Sequence, residues 1–142
     1  SQLLERTKQL RISEARFQRV ADNIPGVIYQ FRRNQDGFVS LPYVSSGCRE
    51  LFETTPEEAV QDALLLFPRL HPDDRQSYQE SIEVSAQTLQ PWTWEGRFNL
   101  PSGKQKWVQA SSRPELQADG SIIWDGVIID ITEQQITSRQ HQ

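Results

Sequence analysis

The spacing of apolar residues predicts helices at both ends and in the middle of the chain, with strands between them. In residues 1–24 an apolar residue recurs every seven positions, at Leu3, Leu10, Phe17 and Ile24. The other seam positions are mostly polar, so the pattern indicates a helix that leans on another surface rather than a strong zipper. An ordinary amphipathic helix packed on its own domain is the alternative interpretation.

Two segments of alternating polarity, residues 27–33 and 38–45, predict a β-hairpin. A turn signal rich in Asn, Asp and Gly separates them at residues 34–37. Pro42 assigns the second strand to an edge of the sheet, because proline has no N–H group to donate to a neighbouring strand. One face of the first strand carries Val27, Tyr29 and Phe31.

The middle of the chain has the pattern of several short helices followed by a longer one. The Thr-Pro-Glu-Glu sequence at residues 55–58 predicts a helix start, with Thr as the cap and Glu three residues after it. Residues 71–89 predict the longest helix of this half, because Pro72 suits a first turn and the acidic pair Asp73 and Asp74 suits its positive end. One stripe of this helix carries Tyr78, Ile82, Ser85, Ala86 and Leu89.

The last third predicts a three-strand meander. Residues 92–100, 104–113 and 121–131 are the strands, and residues 101–103 and 118–120 are the turns. The five strands, interrupted by a helical insert, predict an α+β domain in which the helices cover one face of a single antiparallel sheet.

Composition narrows the class of protein. The 142 residues are 36% hydrophobic and carry a net charge of −4, so we expect no nucleic-acid partner. The longest apolar run, residues 63–67, is too short to cross a membrane, and we expect no direct membrane insertion. The single cysteine, Cys48, cannot form an internal disulfide, which fits a cytoplasmic, reducing compartment. The absence of methionine indicates a processed product or a fragment of a longer protein.

The predicted order of elements resembles the PAS fold over roughly residues 20–133. The segments that carry the resemblance are NIPGVIYQF, YVSSGCRELFETTPEEA, LFPRLHPDDR and the whole closing meander, and the most specific pieces are HPDDR, PSGKQKWV and the terminal DIT. The resemblance implies a PAS-like five-stranded antiparallel sheet with helices on one face, flanked by signalling helices. It divides the chain into an N-terminal linker or dimerisation helix at 1–24, a PAS domain at 25–133 and the start of a C-terminal linker helix at 134–142.

The same resemblance implies a function in signalling. It predicts a non-catalytic domain of a bacterial multidomain protein that acts as a homodimer. This domain would sense a small ligand or a partner and relay a conformational change through the terminal helix to an output domain in the same chain. A sensor histidine kinase is the first expectation for the parent protein, as in two-component systems, and a cyclic-dinucleotide enzyme the second. A ligand-free module for dimerisation or protein interaction is the alternative. A stand-alone enzyme would require a clustered polar site, and we find no such cluster in the sequence.

The triplet Asp130-Ile131-Thr132 resembles the end of PAS domains in sensor proteins, where the last strand runs directly into a helix that leads to the output domain. The resemblance implies a signal relay through these three residues. We expect Thr132 to cap the helix, with Gln135 completing a capping box, and Ile131 to anchor the strand end in the core. The carboxylate of Asp130 is expected to hold a basic group, with Arg97 and Arg113 as candidates. A strand followed by a frayed tail is the alternative.

A small-molecule pocket is expected between the sheet and the helices, and a filled core without a ligand is the equal alternative. The candidate lining is Tyr29, Phe31, Leu66, Phe67 and Leu70 together with the inward-facing residues of the closing meander, with Gln109 and Ser111 as polar anchors. The closing meander also carries all four tryptophans, and some of them are expected on the outer face of the sheet. Alternation alone does not indicate which tryptophan faces which side.

No cofactor or metal is expected. Cys48 lies too early in the chain to match the flavin-adduct cysteine of light-sensing PAS relatives, and we expect it to act as a small buried hydrophobe. His71 resembles a haem ligand only superficially, because its place before Pro72 indicates a capping or surface role. With His141 in the tail, these residues are too far apart in the sequence for a zinc site.

Overall fold

The computed structural model describes the backbone of residues 26–140 and the side chains of residues 26–138. Leu3, Leu10 and Phe17 of the predicted dimerisation helix and His141 lie outside the described residues. Within them, the predicted α+β architecture is confirmed: one five-stranded antiparallel sheet carries helices on one face.

The strands follow the predicted alternation closely. They are β1 (Val27–Arg33), β2 (Val39–Val44), β3 (Trp92–Asn99), β4 (Gln105–Leu116) and β5 (Ile122–Asp130). Their order in the sheet is β2-β1-β5-β4-β3. Strand β2, which contains Pro42, therefore lies at an edge as predicted, and β5 lies in the centre between β1 and β4.

In the sequence, the helices of the insert come after β2 and before β3. They are α1 (Cys48–Leu51), α2 (Pro56–Gln61) and α3 (Arg75–Thr88), and α4 (Thr132–Gln140) follows the last strand. The predicted capping box of α2 is present: the Thr55 hydroxyl accepts from the Glu58 N–H at 3.1 Å, and the Glu58 carboxylate accepts from the Thr55 N–H. Two short 3-10 turns, Phe67–Arg69 and Pro72–Asp74, lead into α3.

The sheet register decides which side chains face the helices. Trp92, Trp94 and Trp124 are buried on the inner face at 6%, 7% and 1% exposure. Trp107 points to the outer face, where the guanidinium of Arg97 lies 5.1 Å from its ring centroid. Of the four tryptophans, three thus belong to the core and one fulfils the expectation of an outer position.

Candidate functional site

A cavity of about 270 Å³ lies between the inner face of the sheet and the helices. The five apolar and aromatic residues predicted to line it all do so: Tyr29, Phe31, Leu66, Phe67 and Leu70. Leu64, which is 60% exposed, also contributes to the lining and marks an open side of the cavity. The inward residues of the meander, which the sequence did not identify one by one, include Trp92, Trp94 and Trp124. The prediction missed Tyr78, which forms an aromatic wall with Trp92 and Trp94 on the side of β3 and α3.

The two predicted polar anchors are wrong. Gln109 and Ser111 lie on the outer face of β4, paired in register with Glu95 and Thr93 on β3. The residues of β4 that face the helices are those with the opposite parity, and they are buried: Val108, Ala110 and Ser112. Successive residues of a strand point to opposite faces of the sheet. Assigning the wrong alternate set of residues to the inner face therefore misplaces both anchors together.

Three indole N–H groups of the inner face bind three serines of α3. Trp94 donates to the Ser77 hydroxyl at 3.1 Å, Trp92 to Ser81 at 2.8 Å and Trp124 to Ser85 at 2.9 Å. The serines are spaced four residues apart, so they lie along one side of the helix. We call these three bonds the indole–serine ladder. The ladder attaches α3 to both β3 and β5 through polar bonds inside an aromatic environment.

The aromatic ring of Tyr78 fits between the rungs of the ladder. It makes edge-to-face contacts with Trp92 and Trp94, with ring centroids 5.7 and 5.5 Å apart. The two indoles are parallel, with an interplanar angle of 8°. Edge-to-face pairs of this kind are favourable beyond the area that they bury. This wall of the cavity is therefore built from large, rigid rings whose orientation is fixed.

Two buried hydroxyl groups face each other across β5. Tyr29 and Ser112 both lie opposite Gly126 in the register of the sheet, and a Cβ atom at Gly126 would lie 2.4 Å from that of Ser112. Burial raises the pKa of Tyr29 to about 12, and the nearby Ser112 hydroxyl opposes this with a smaller effect. The two hydroxyls nevertheless do not meet hydrogen-bond geometry with each other or with any other described group.

The end of β5 continues into α4 with one residue between them. Thr132 does not cap the helix as predicted; it is the first helical residue. Its hydroxyl accepts from the Trp107 N–H at 3.0 Å, and the Ile131 N–H donates to the Trp107 carbonyl at 2.9 Å. Gln135 donates its N–H to Ile131, so the predicted capping box does not form. Ile131 is 7% exposed, which confirms its predicted anchoring in the core.

The predicted partner of Asp130 is also wrong. Its carboxylate accepts hydrogen bonds from the N–H and the hydroxyl of Thr132, so it closes the turn between β5 and α4. Arg97 instead binds Asp74 at the start of α3. The sequence gives no distance between elements, and Asp74 reaches Arg97 first because the turn before α3 runs along the edge of β3.

The pair of Asp74 and Arg97 connects α3 to the outer face of the sheet. The Asp74 carboxylate accepts from the backbone N–H of Arg97 at 2.8 Å and from its guanidinium at 3.0 and 2.8 Å. These bonds hold the pKa of Asp74 below its usual value. The Arg97 guanidinium also covers Trp107, whose backbone binds Ile131 and Thr132. A continuous set of contacts thus leads from the start of α3 to the start of α4.

The residues considered for cofactor chemistry have structural partners. Cys48 is fully buried in α1, and burial raises the pKa of its thiol to about 11. The His71 Nδ1 atom accepts from the Asp73 N–H at 3.1 Å, which confirms its predicted capping role. Among the described residues, no group of three His, Cys, Asp or Glu side chains is arranged to hold a metal ion. None of the helices in this part of the chain has the length and apolar character needed to cross a membrane.

Comparisons with known proteins agree with this geometry. Residues 41–128, more than half of the chain, match the sequence model of the family described as PAS fold. The uncharacterized protein y4lL of Sinorhizobium fredii is 30% identical over 128 residues, which are 88% of this chain and 14% of that protein. The chain therefore spans only a small part of the length of that relative.

Solved structures show the same fold at low identity. A sensory box histidine kinase/response regulator from Burkholderia thailandensis superimposes with a TM-score of 0.60 and 18% identity, over 80% of this chain and 83% of that chain. The N-terminal domain of a diguanylate cyclase with PAS/PAC sensor from Marinobacter aquaeolei gives a TM-score of 0.60 and 15% identity, over 77% of this chain and 98% of that one.

Proposed function

The chain belongs to the PAS family, and from this premise we propose that it is a sensory domain that detects a small molecule and controls an output domain in the same protein. Two observations support the proposal: the cavity beside α3, and the direct continuation of β5 into α4. Similar domains occur in a histidine kinase and a diguanylate cyclase, and we propose an output domain of one of these kinds. The domain itself is proposed to be non-catalytic and cytoplasmic.

The contacts between the cavity and α4 supply the mechanism. Tyr78 and Ile82 of α3 line the cavity, so a molecule that fills it presses on this helix. The Asp74 carboxylate at the start of α3 holds Arg97, which covers Trp107 beside the first turn of α4. A ligand shifts such an equilibrium only if it binds the two arrangements with different affinity. We propose that the filled cavity favours one orientation of α4 over another.

The proposal assigns no haem or flavin to the cavity. None of the described residues that line it carries a formal charge, so it offers no partner for a propionate or phosphate group. Neither Cys48 nor His71 is among the lining residues. The proposed ligand is therefore a small uncharged molecule that binds through apolar contact.

We predict that Ala110→Leu blocks the cavity. Ala110 is 2% exposed and lines it, so the added isopropyl group occupies space that a ligand would fill. Naphthalene is a suitable probe, because an apolar cavity of about 150 Å³ already binds benzene. We expect the affinity for naphthalene, measured by isothermal titration calorimetry, to fall at least about tenfold. Gln109→Leu, one residue away on the outer face, is the matched control and should bind as the wild type does.

We further predict that Thr132→Val uncouples α4 from the sheet. The substitution keeps the shape of the side chain but removes the hydroxyl that binds Trp107 and Asp130. We expect a loss of about 1 kcal/mol in the free energy of unfolding. In the wild type, naphthalene should change the hydrogen exchange of residues 131–137; in the variant this change should disappear. Thr93→Val on the exposed outer face of β3 is the control.

The hydrogen-exchange experiment also tests the relay itself. If calorimetry detects naphthalene in the wild-type cavity while exchange of residues 131–137 stays the same, the proposed coupling is wrong. If neither naphthalene nor its hydroxylated analogue 2-naphthol binds, the cavity does not act as a ligand site and the sensory proposal fails at its first step.

A ligand-free dimerisation module is the second candidate, supported by the outer face of the sheet. Ile28, Val127 and Ile129 are half-buried there and form an apolar strip across β1 and β5. Such a strip suits contact with a second copy of the chain. Native mass spectrometry reports subunit number and retained ligand together. A dimer that retains no ligand and whose stability naphthalene does not change would favour this candidate over the sensor.

A further inference from the structure

The polar groups around the cavity are almost all occupied. The N–H groups of Trp92, Trp94 and Trp124 bind the serines of the indole–serine ladder, so they are not available to a ligand. The rest of the lining is apolar apart from two tyrosines, Tyr29 and Tyr78, and Gln79. Gln79 is exposed, so it lies on the solvent side. The deep part of the cavity therefore has very few groups that could orient a ligand.

The hydroxyl of Tyr29 is the exception. Tyr29 lines the cavity and is only 7% exposed. Its hydroxyl oxygen has no hydrogen-bond partner among the described residues. The Ser112 hydroxyl beside it is in the same condition, with the residue 3% exposed. A buried polar group without a partner is costly, and native proteins rarely leave one without a reason. Ser112 lies beside Tyr29 but outside the lining of the cavity, so the Tyr29 hydroxyl is the open group that a molecule in the cavity can reach.

We propose that the cavity takes an uncharged aromatic molecule of about two fused rings that carries one hydroxyl or carbonyl group, held by the hydroxyl of Tyr29. This inference rests on the proposed sensory function and gives its ligand a chemical class. The rings pack against the fixed aromatic wall of Tyr78, Trp92 and Trp94. The single polar group completes the hydrogen bond that the Tyr29 hydroxyl leaves open.

The size and charge of the ligand follow from the cavity. A volume of about 270 Å³ is larger than the roughly 150 Å³ that suffices for benzene, so it accommodates a second ring. A charged ligand would lose its hydration without gaining an ionic partner, because no lining residue among those described is charged. The Tyr29 phenol is itself neutral at physiological pH, as an ordinary tyrosine is, and burial raises its pKa further. It can therefore both donate and accept a hydrogen bond.

Isothermal titration calorimetry with three related probes tests this assignment at pH 7: naphthalene, 2-naphthol and 2-naphthoate. In the wild type we expect 2-naphthol to bind about fivefold more tightly than naphthalene, the effect of one net hydrogen bond to buried groups. The anion 2-naphthoate should bind at least about tenfold more weakly than 2-naphthol, because it must be desolvated.

Variants then identify the groups responsible. Tyr29→Phe keeps the ring and removes only the hydroxyl, and we expect it to reduce the ratio of 2-naphthol to naphthalene affinity to about one. If Tyr29→Phe does not fold, the ratio of 2-naphthol to naphthalene affinity in the wild type is the second test, and a ratio near one there overturns the assignment. Ser111→Ala, on the outer face next to Ser112, is the matched control and should leave the ratio unchanged.

The outcomes separate this inference from the proposed function. If naphthalene binds but 2-naphthol binds no better, the cavity remains a ligand site and the hydroxyl assignment is overturned. The same holds if the preference for 2-naphthol survives in Tyr29→Phe. If 2-naphthoate binds as tightly as 2-naphthol, the uncharged class is wrong. If none of the three probes binds, the sensory proposal fails together with the inference.

Discussion

Replacing Asp74 with alanine is expected to lower the free energy of unfolding by about 3 kcal/mol, the largest effect that we predict for any single substitution. The Asp74 carboxylate accepts three hydrogen bonds from Arg97, including that of its backbone N–H. Strand β3 is an edge strand, and this N–H has no neighbouring strand to bind. The variant leaves both the N–H and a guanidinium that is only 23% exposed without their acceptor.

The neighbouring acid provides the control. Asp73 lies in the same 3-10 turn, but its side chain is 78% exposed and lies 3.9 Å from the His71 Nδ1 atom, a contact that is ionic only when His71 is protonated. We expect Asp73→Ala to change the free energy of unfolding by less than about 0.5 kcal/mol. Urea titration monitored by tryptophan fluorescence measures both variants. If they are equally mild, the carboxylate of Asp74 does not hold the edge of β3.

The effect of Asp74 also depends on pH in a defined direction. Its pKa in the folded protein is lowered by the bonds from Arg97, so the ionised form is the one that stabilises. The contribution is fully present above the unfolded pKa of about 3.9 and is lost as the pH falls through the lower folded pKa. Glu53, Glu83 and Asp119 also have lowered pKa values and titrate in the same range. The difference between wild type and Asp74→Ala isolates Asp74, and it should shrink as the pH falls below about 4.

Local patterns in the sequence predicted most of the fold. Turn residues at 34–37, 101–103 and 118–120 separate strands whose alternation is visible over many residues, and the structure has hairpins or strand connections at all three. The capping box of Thr55 and Glu58 is equally local and forms as predicted. These signals act between residues that are close in the chain, so they do not depend on tertiary structure.

Two features could not be predicted from local patterns: which face of a strand is buried, and which residues far apart in the chain bind each other. In β4 one face carries Trp107, Gln109 and Ser111 and the other carries Val108, Ala110 and Ser112, so both faces mix apolar and polar residues and the sequence does not indicate which one is buried. The error for Gln109 and Ser111 arose from this ambiguity. The prediction of a basic partner for Asp130 failed for a different reason. The acceptor that Arg97 binds instead is Asp74, which lies 23 residues away along the chain.

One feature of the site was visible in the sequence and was missed. Ser77, Ser81 and Ser85 recur every four residues in α3, a spacing that puts three hydroxyls on one side of a helix. A polar stripe of this kind on a helix that covers a tryptophan-rich sheet could have predicted the indole–serine ladder. The predicted stripe of this helix included Ser85 but not Ser77 or Ser81, although buried indoles require acceptors.

The innermost rung of this ladder should be the strongest. We expect Ser85→Ala to lower the free energy of unfolding by about 2 kcal/mol, because it leaves the indole N–H of Trp124 buried without an acceptor. The same hydroxyl donates to the Gln90 carbonyl at 2.7 Å, so the end of α3 loses a bond as well. Alanine has a higher helix propensity than serine, and this offsets the loss of stability by roughly 0.5 kcal/mol at most.

The outer rung offers a matched comparison. Ser77 makes the same type of bond with Trp94, but Ser77 is exposed, and water can take the place of its hydroxyl. We therefore expect Ser77→Ala to cost less than about 1 kcal/mol. Equal and small effects at both positions would mean that packing alone, rather than the ladder, holds α3 against the sheet.

A double-mutant cycle with Trp124→Phe separates the hydrogen bond from the packing around it. Phenylalanine keeps an aromatic ring but has no N–H group, so in that background the Ser85 hydroxyl has lost its indole donor. We expect Ser85→Ala to cost about 1–2 kcal/mol less there than in the wild type. A coupling energy near zero would show that Trp124 and Ser85 contribute independently. The rigid aromatic wall of the cavity would then owe its orientation to ring packing, and the spacing of the serines would have no structural consequence.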